Sequence, residues 1–349
     1  MRSGLLDRLL MDATRQTASD LHLIVGIPPA FRVNGDIILS NKDALRPEDL
    51  SAMAYSLLTK EQRQKFDEDR EYSLSIVHKE GGRIRVTLYL RDGNPEMSLR
   101  LCGDRIPQRQ ELGLPSQIDE LARRRNGLIL ITGPTGAGKT TTLNYIVDLI
   151  NRERRCKIIT IEDPIEYVHT NKRAVVVQQE VYTDTISFNR AHIHVLRQDP
   201  DVIVVGEVRD YEEIATALTA AETGHLVLAT LHSPNVMLCL ERIVGVFEGN
   251  SQRKIILQLA NSLNGILAQD LLPSADRTGR VLAYELLIAN SAVRKLVREN
   301  QLHQLETVLQ TGGREGMVLM DNCLKDLYQR CLISYDTALS RARYPEDFK

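Results

Sequence analysis

The octapeptide Gly133-Pro134-Thr135-Gly136-Ala137-Gly138-Lys139-Thr140 constrains this chain more than any other stretch, because it fits the pattern G-x-x-x-x-G-K-[ST] at every position. It also stands in the setting that gives the pattern physical meaning. The apolar run Gly127 to Thr132 before it reads as a buried parallel strand, and Thr141 to Ile150 after it carries apolar residues at helical spacing. Strand, glycine loop and helix in that order make a phosphate cradle: glycines let backbone N–H groups close around an anion, and the helix N-terminus adds its dipole. Lys139 is expected to reach the β- and γ-phosphates and the Thr140 hydroxyl to bind Mg²⁺, with the other loop residues and Thr141 completing the nucleotide contacts.

The rest of the chain has room for a second domain. It is 349 residues long, 43% hydrophobic and 26% charged, an ordinary soluble composition for two cores. A formal net charge of −2 lacks the basic footprint of a general nucleic-acid binder, so no direct nucleic-acid partner is expected. The five cysteines, Cys102, Cys156, Cys239, Cys323 and Cys331, are dispersed and form no C-x-x-C, which points to reduced packing thiols. No apolar run approaches the ~20 residues of a spanning helix, and Met1-Arg2-Ser3-Gly4 opens no signal-peptide core. A cytoplasmic protein, docked on a membrane partner, is the expectation.

Read in order, the first hundred residues predict a small α+β unit. Leu5, Leu6, Leu9, Leu10 and Ala13 mark one helix face, and Ser19 to Val25 alternates as a strand does. Ala30–Val33 and Asp36–Leu39 form the arms of a hairpin around Asn34-Gly35, and a helix runs from Arg46 to Leu58. Tyr72–Val77, Arg83–Leu90 and Met97–Leu101 read as three more strands, the first two joined around Gly81-Gly82. Residues 1–102 are thus assigned to the first domain, the Gly- and Pro-punctuated stretch 103–117 to a linker, and 118–349 to the second domain. There, apolar runs at Gly127–Thr132, Lys157–Ile161, Val202–Val205 and Leu226–Thr230 alternate with helical patterns, as in a parallel sheet covered on both faces. Beyond Asn250 the pattern reads as mostly helical.

In such sheets ligands sit outside the carboxyl ends of the strands, so the polar residues that follow each strand are the candidates for chemistry. Hydrolysis needs a carboxylate to orient the attacking water and further oxygen ligands for Mg²⁺. Glu207, directly after a hydrophobic strand, is assigned to the water, and also to the metal with Glu162 and Asp163; Glu166 is a weaker candidate. Glu162 is the second choice for catalysis. His225 and His232 bracket one strand, so each is expected at a strand end near the γ-phosphate, His232 for catalysis and His225 for nucleotide binding, although a structural role fits the spacing as well. His192 and His194 have no third ligand nearby and read as structural. Phosphoryl transfer also draws on positive charge, often an arginine from a neighbour. Arg83 and Arg85 share one strand face, and Arg91 and Arg100 follow; spacing alone does not separate a catalytic arginine from a solvated one.

Taken together these stretches resemble the secretion ATPase superfamily and, within it, the type IV pilus retraction ATPases of the PilT family. Ala18-Ser19-Asp20-Leu21-His22-Leu23 and Arg32-Val33-Asn34-Gly35-Asp36 are similar to that family's N-terminal PAS-like domain. Ile159 to Tyr167 resembles its aspartate box, Leu196 to Asp210 its atypical Walker B segment, and Thr219 to His232 its histidine box. Ser291-Ala292-Val293-Arg294-Lys295-Leu296-Val297-Arg298-Glu299 is similar to the retraction signature AIRNLIRE, with Ser291 and Lys295 in place of alanine and asparagine.

The resemblance implies an α/β fold with a RecA-like P-loop ATPase core and a smaller PAS-like domain, working as a homo-hexamer that hydrolyses ATP with Mg²⁺. It implies that Arg85 and Arg100 reach the nucleotide, and that the ring acts on an inner-membrane platform protein and through it on pilin. The expected place is the cytoplasm, peripheral to the inner membrane. Related cores serve conjugation, type IVB and type II secretion systems, and a non-hydrolysing regulator is the alternative from another class.

Overall fold

The computed structural model describes residues 4–33, 35–77, 83–101, 105–208 and 210–348. They separate into two compact units, Met1–Arg105 with Pro164–Val168, and Ile106–Asp163 with His169–Lys349. Met1 to Ser3, Asn34, Gly81-Gly82, Cys102, Gly103 and Arg209, which entered the sequence reading, lie outside the described residues, as do the side chains of His192 and Ile193.

The first unit contains α1 (Gly4–Arg15), β1 (Asp20–Leu23), β2 (Ala30–Val33), β3 (Asp36–Leu39), α2 (Pro47–Ser56), α3 (Lys60–Asp69), β4 (Glu71–Val77), β5 (Arg83–Arg91) and β6 (Asn94–Leu101). Its antiparallel sheet has the order β3-β2-β1-β6-β5-β4. Leu6, Leu9, Leu10 and Ala13 of α1 are buried, the i, i+3, i+4, i+7 stripe of a helix lying on a core. β5 alternates, with Ile84, Val86 and Leu88 inward and Arg83, Arg85 and Thr87 half-buried. The helix α3 has no counterpart in the hydrophobic pattern, for Phe66 is its one buried residue. Its start is set instead by a capping box, in which Gln62 N donates to Thr59 Oγ1 at 3.2 Å and Thr59 N to Gln62 Oε1 at 3.0 Å. Pro164–Val168, although it follows a strand of the other unit in sequence, belongs here. Burial pushes the Glu166 carboxyl up, and the charges of Arg85 and Arg100 pull it partly back.

The second unit contains α4 (Gln117–Ala122), β7 (Gly127–Thr132), α5 (Lys139–Glu153), β8 (Lys157–Glu162), β9 (Val175–Glu180), α6 (Phe188–Val195), β10 (Val202–Val205), α7 (Tyr211–Glu222), β11 (Leu226–Leu231), α8 (Val236–Gly245), α9 (Gly249–Ser262), β12 (Leu263–Pro273), β13 (Arg280–Ile288), α10 (Ser291–Arg298), α11 (Leu305–Thr311), α12 (Met320–Gln329) and α13 (Tyr335–Arg341). The sheet order is β13-β12-β7-β11-β10-β8-β9. All neighbours are parallel except β12 and β13. Every residue of β7, β10 and β11 is buried, which is why these strands read as continuous apolar runs. Alternate residues supply two cores. Ile129, Ile131, Val202 and Val204 pack with Leu143, Ile146 and Ile150 of α5, whereas Leu128, Leu130, Ile203 and Val205 pack with residues of α7, α8 and α9.

The helices expected after Asn250 are interrupted by the β12–β13 hairpin, paired from Gly265↔Ile288 to Pro273↔Arg280. In β12 the residues Leu263, Ile266, Leu267 and Leu271 fall at helical spacing, but the strand is buried on both faces, so its pattern carries no period of two.

One polar stripe interrupts the apolar packing of α5. Asn144, Asp148 and Asn151 stand four and three residues apart, all buried, and hold the chain that follows residue 168. Asn151 Nδ2 donates to Thr170 O at 2.8 Å, Lys172 Nζ reaches Asp148 Oδ1, and His169 Nε2 lies 2.7 Å from Asn144 Oδ1. Burial lowers the His169 pKa from 6.5 to about 4, with Asp148 opposing and Lys172 reinforcing the shift. The unfolded chain therefore binds the extra proton first as the pH falls, so this contribution to stability is full above pH 6.5 and lost towards pH 4. Lowering the pH from about 7.5 to about 5 is expected to cost the native protein about 2 kcal/mol more than it costs the His169→Gln variant. Urea melts of both proteins at the two pH values measure the difference.

Candidate functional site

The glycine loop joins the carboxyl end of β7 to the first turn of α5, and its backbone is shaped for glycine. Gly133, Gly136 and Gly138 have φ of 147°, 82° and 82°. A Cβ on Gly133 would stand 2.2 Å from Gln269 O, so the loop is pressed against β12. Gln269 Nε2 also donates to Ala137 O at 2.5 Å, making this side chain the floor of the loop. Sequence reasoning missed Gln269; its signal was a lone polar residue in an apolar strand, buried to 1% exposure.

Lys139 folds back into the loop. Its ammonium donates to Gly133 O and Pro134 O, both at 2.9 Å, and lies 3.4 Å from His232 Nδ1. Lys139 is 8% exposed and forms no ion pair among the described residues. Burial pushes its pKa below the ordinary lysine value, and the charge of Glu207 raises it partly again. A cation held in a glycine cradle with no carboxylate bonded to it among the described residues is a site into which phosphate fits, and Thr140 stands beside it at the start of α5.

The neighbouring strands bring further groups to the same sheet edge. β11 parallels β7 with Leu231 opposite Thr132, so His232 emerges next to the loop. Thr132 Oγ1 donates to Ser233 O at 2.7 Å and accepts from Ser233 N at 2.9 Å, while Arg242 Nη1 donates to His232 O at 2.6 Å. These bonds pin the His232 backbone from both sides. Thr230 Oγ1 donates to Gly206 O, and Val208 N donates to Thr230 O at 2.9 Å, holding the turn that carries Glu207. The result is a contact of 2.8 Å between His232 Nε2 and Glu207 Oε1. Lys139, His232 and Glu207 therefore form one contiguous group.

Glu162, at the end of β8, is 4% exposed and accepts at Oε1 from Thr160 Oγ1 at 2.7 Å and from Gln178 Nε2 at 3.0 Å. Gly206 N donates to Ile161 O at 2.9 Å, which sets the Glu207 turn beside the Glu162 strand end. Asp163 follows, half-buried. His225 stands apart. Leu226 pairs with Gly127, at the end of β7 opposite the loop, and a six-residue strand puts about 20 Å between the two ends. Its ring bonds Ala220 O at 3.0 Å instead. The expectation that both histidines approach the phosphates thus fails for His225 within one chain, because a parallel strand presents only its carboxyl end to the loop. Arg85 and Arg100 lie in the first unit, directly opposite each other on β5 and β6, with Arg100 Nε 2.9 Å from Asp20 Oδ1. No cluster of three or more metal-ligating side chains occurs among the described residues.

Comparison with known proteins follows the same lines. Residues 3–333 match the family model described as "Type II/IV secretion system protein". The chain is 39% identical to the type IV pilus retraction ATPase PilT of Pseudomonas aeruginosa, over 98% of this chain and 99% of that one. It is 39% identical to a twitching motility protein of Neisseria gonorrhoeae, over 97% of this chain and 90% of the relative. The fold is similar to the crystal structure of the pilus retraction motor PilT with bound ADP, with a TM-score of 0.91, 42% identity and 98% of each chain covered.

Proposed function

The chain belongs to the type II/IV secretion ATPases, in the PilT branch, and on that footing we propose that it is an ATP-hydrolysing motor that drives type IV pilus retraction. The observation that carries the reading is the likeness to a retraction motor along nearly the full length of both chains, coupled to a complete phosphate loop. No helix among the described residues is long and apolar enough to cross a membrane, and we place the protein in the cytoplasm, peripheral to the inner membrane. There it acts as a homo-hexamer on a platform protein, and through that protein on pilin, with no direct nucleic-acid partner. The link between the PAS-like domain and the RecA-like core is shorter than the 103–117 expected from the sequence, for Ile106 to Gln117 belong to the second unit.

In this reading the backbone N–H groups of the loop and the Lys139 ammonium hold the phosphates. Thr140 would hold Mg²⁺, with Glu162, Asp163 and Glu207 reaching it through water, since the three carboxylates do not converge as a ligand cluster among the described residues; when bound, the ion neutralises charge on the phosphate oxygens. Glu207 orients a water and takes its proton; His232, bonded to Glu207 and facing Lys139, fixes the carboxylate and couples it to the loop. Arg85 and Arg100 are supplied by the adjacent subunit and balance charge in the transition state.

Deleting the gene in its native host and counting surface pili alongside twitching tests the assignment. Abundant pili with lost motility are expected. Absent pili would make the protein an assembly motor, and normal pili with failed substrate transfer would move it to a conjugation or secretion system. ATP turnover by the purified protein excludes the non-hydrolysing regulator.

A further inference from the structure

A chain of hydrogen bonds through buried Asn144 and His169 and half-buried Gln178 connects the first turn of α5 to Glu162, and it passes through a residue with no role in the group described above. Asn144, 3% exposed, donates from Nδ2 to Thr140 O at 2.9 Å. Its Oδ1 is therefore the acceptor of the 2.7 Å bond to His169 Nε2, and the imidazole is the donor. That fixes the neutral tautomer with the proton on Nε2. Nδ1 is left as a buried atom without a hydrogen-bond partner among the described residues, in a side chain only 8% exposed. On the other side the His169 backbone N–H donates to Gln178 Oε1 at 2.8 Å, and Gln178 Nε2 donates to Glu162 Oε1 at 3.0 Å.

The unpartnered Nδ1 is informative. A position that served packing alone would be better filled by an apolar side chain, which leaves no acceptor unsatisfied. An imidazole is useful here for the single bond that it does make, and that bond ends on the amide holding the Thr140 carbonyl.

We propose that His169 is a positioning residue of the nucleotide site. Its Nε2–H sets the Asn144 amide against Thr140, and its backbone N–H sets Gln178 against Glu162, so one residue fixes the relative placement of two groups. This rests on the reading above that Thr140 and Glu162 serve the metal. Partners of this kind tune metal affinity through ligand orientation and leave the ligand set itself intact.

The test is binding of a fluorescent ADP analogue titrated with Mg²⁺, together with ATP turnover, for His169→Leu, His169→Gln and Asn144→Ala. His169→Leu is expected to raise the Mg²⁺ concentration for half-maximal effect about 10-fold, with metal-free ADP binding unchanged. His169→Gln, whose amide N–H reaches the same acceptor, is expected to restore it to within about 2-fold of the native value. Asn144→Ala is expected to match His169→Leu, and the double variant to add nothing further. A native Mg²⁺ midpoint in His169→Leu, or equal shifts in the Leu and Gln variants, would overturn the proposal. If His169→Leu does not fold, Asn144→Ala decides alone: a native midpoint there rejects the relay. Thr140→Ala separates the two levels, since an unmoved midpoint in that variant rejects Thr140 as a metal ligand, whereas a moved one beside an unmoved His169→Leu rejects only the positioning role.

Discussion

Glu207→Gln is expected to retain nucleotide and to lose turnover by at least about 100-fold, the range found when a positioned proton acceptor is removed. The substitution keeps the size of the side chain and an oxygen able to accept from His232 Nε2, now 2.8 Å from the carboxylate. What disappears is the charge, and with it the base strength needed to draw a proton from water. Lys139 would keep its contacts with Gly133 O and Pro134 O, so the phosphate cradle is untouched. Steady-state phosphate release and the affinity for ADP, measured on the same preparation, separate the two effects. Turnover equal to that of the native protein would take Glu207 out of the hydrolytic role and leave Glu162 as the remaining candidate carboxylate. Lost affinity with native turnover per bound nucleotide would instead give Glu207 a purely binding role.

The loop and the strands beside it were legible because their constraints are local. A glycine at φ of 147° or 82° and a strand buried on both faces each leave a mark in a few consecutive residues. What stayed hidden depends on partners distant in the chain. Gln269 and Ala137 are 132 residues apart, and only the β12–β7 pairing brings them together. The same holds for Asn144 and His169, whose contact requires the chain to return from Pro164–Val168, a stretch that packs with the first unit. His225 shows a different failure. The residues bracketing a strand look equivalent in a sequence, yet strand direction makes one a neighbour of the phosphate loop and leaves the other on the far edge. The helix α3 was missed because a polar helix with one buried residue has no periodicity to read, and a capping box is what locates it.

Lys139→Met is expected to weaken nucleotide binding about 100-fold while leaving the nucleotide-free protein nearly as stable as before. Two effects oppose each other in the free protein. The ammonium is desolvated, as its depressed pKa records, and a thioether of similar length removes that cost. Against this, Gly133 O and Pro134 O lose a charged donor, although the exposed Pro134 can take water in its place. The balance should lie within about 1 kcal/mol of zero. With nucleotide present nothing opposes the loss: the charge-assisted bonds to phosphate are worth about 3 kcal/mol, or about 100-fold in affinity. Thermal melts with and without ADP read both effects at once. The native protein should gain about 2.7 kcal/mol at an ADP concentration 100 times its Kd, and the variant almost none. A large drop in the melting temperature of the free variant would mean that Lys139 chiefly braces the loop, and a native ADP-dependent gain would mean that the phosphates are held by the backbone cradle alone.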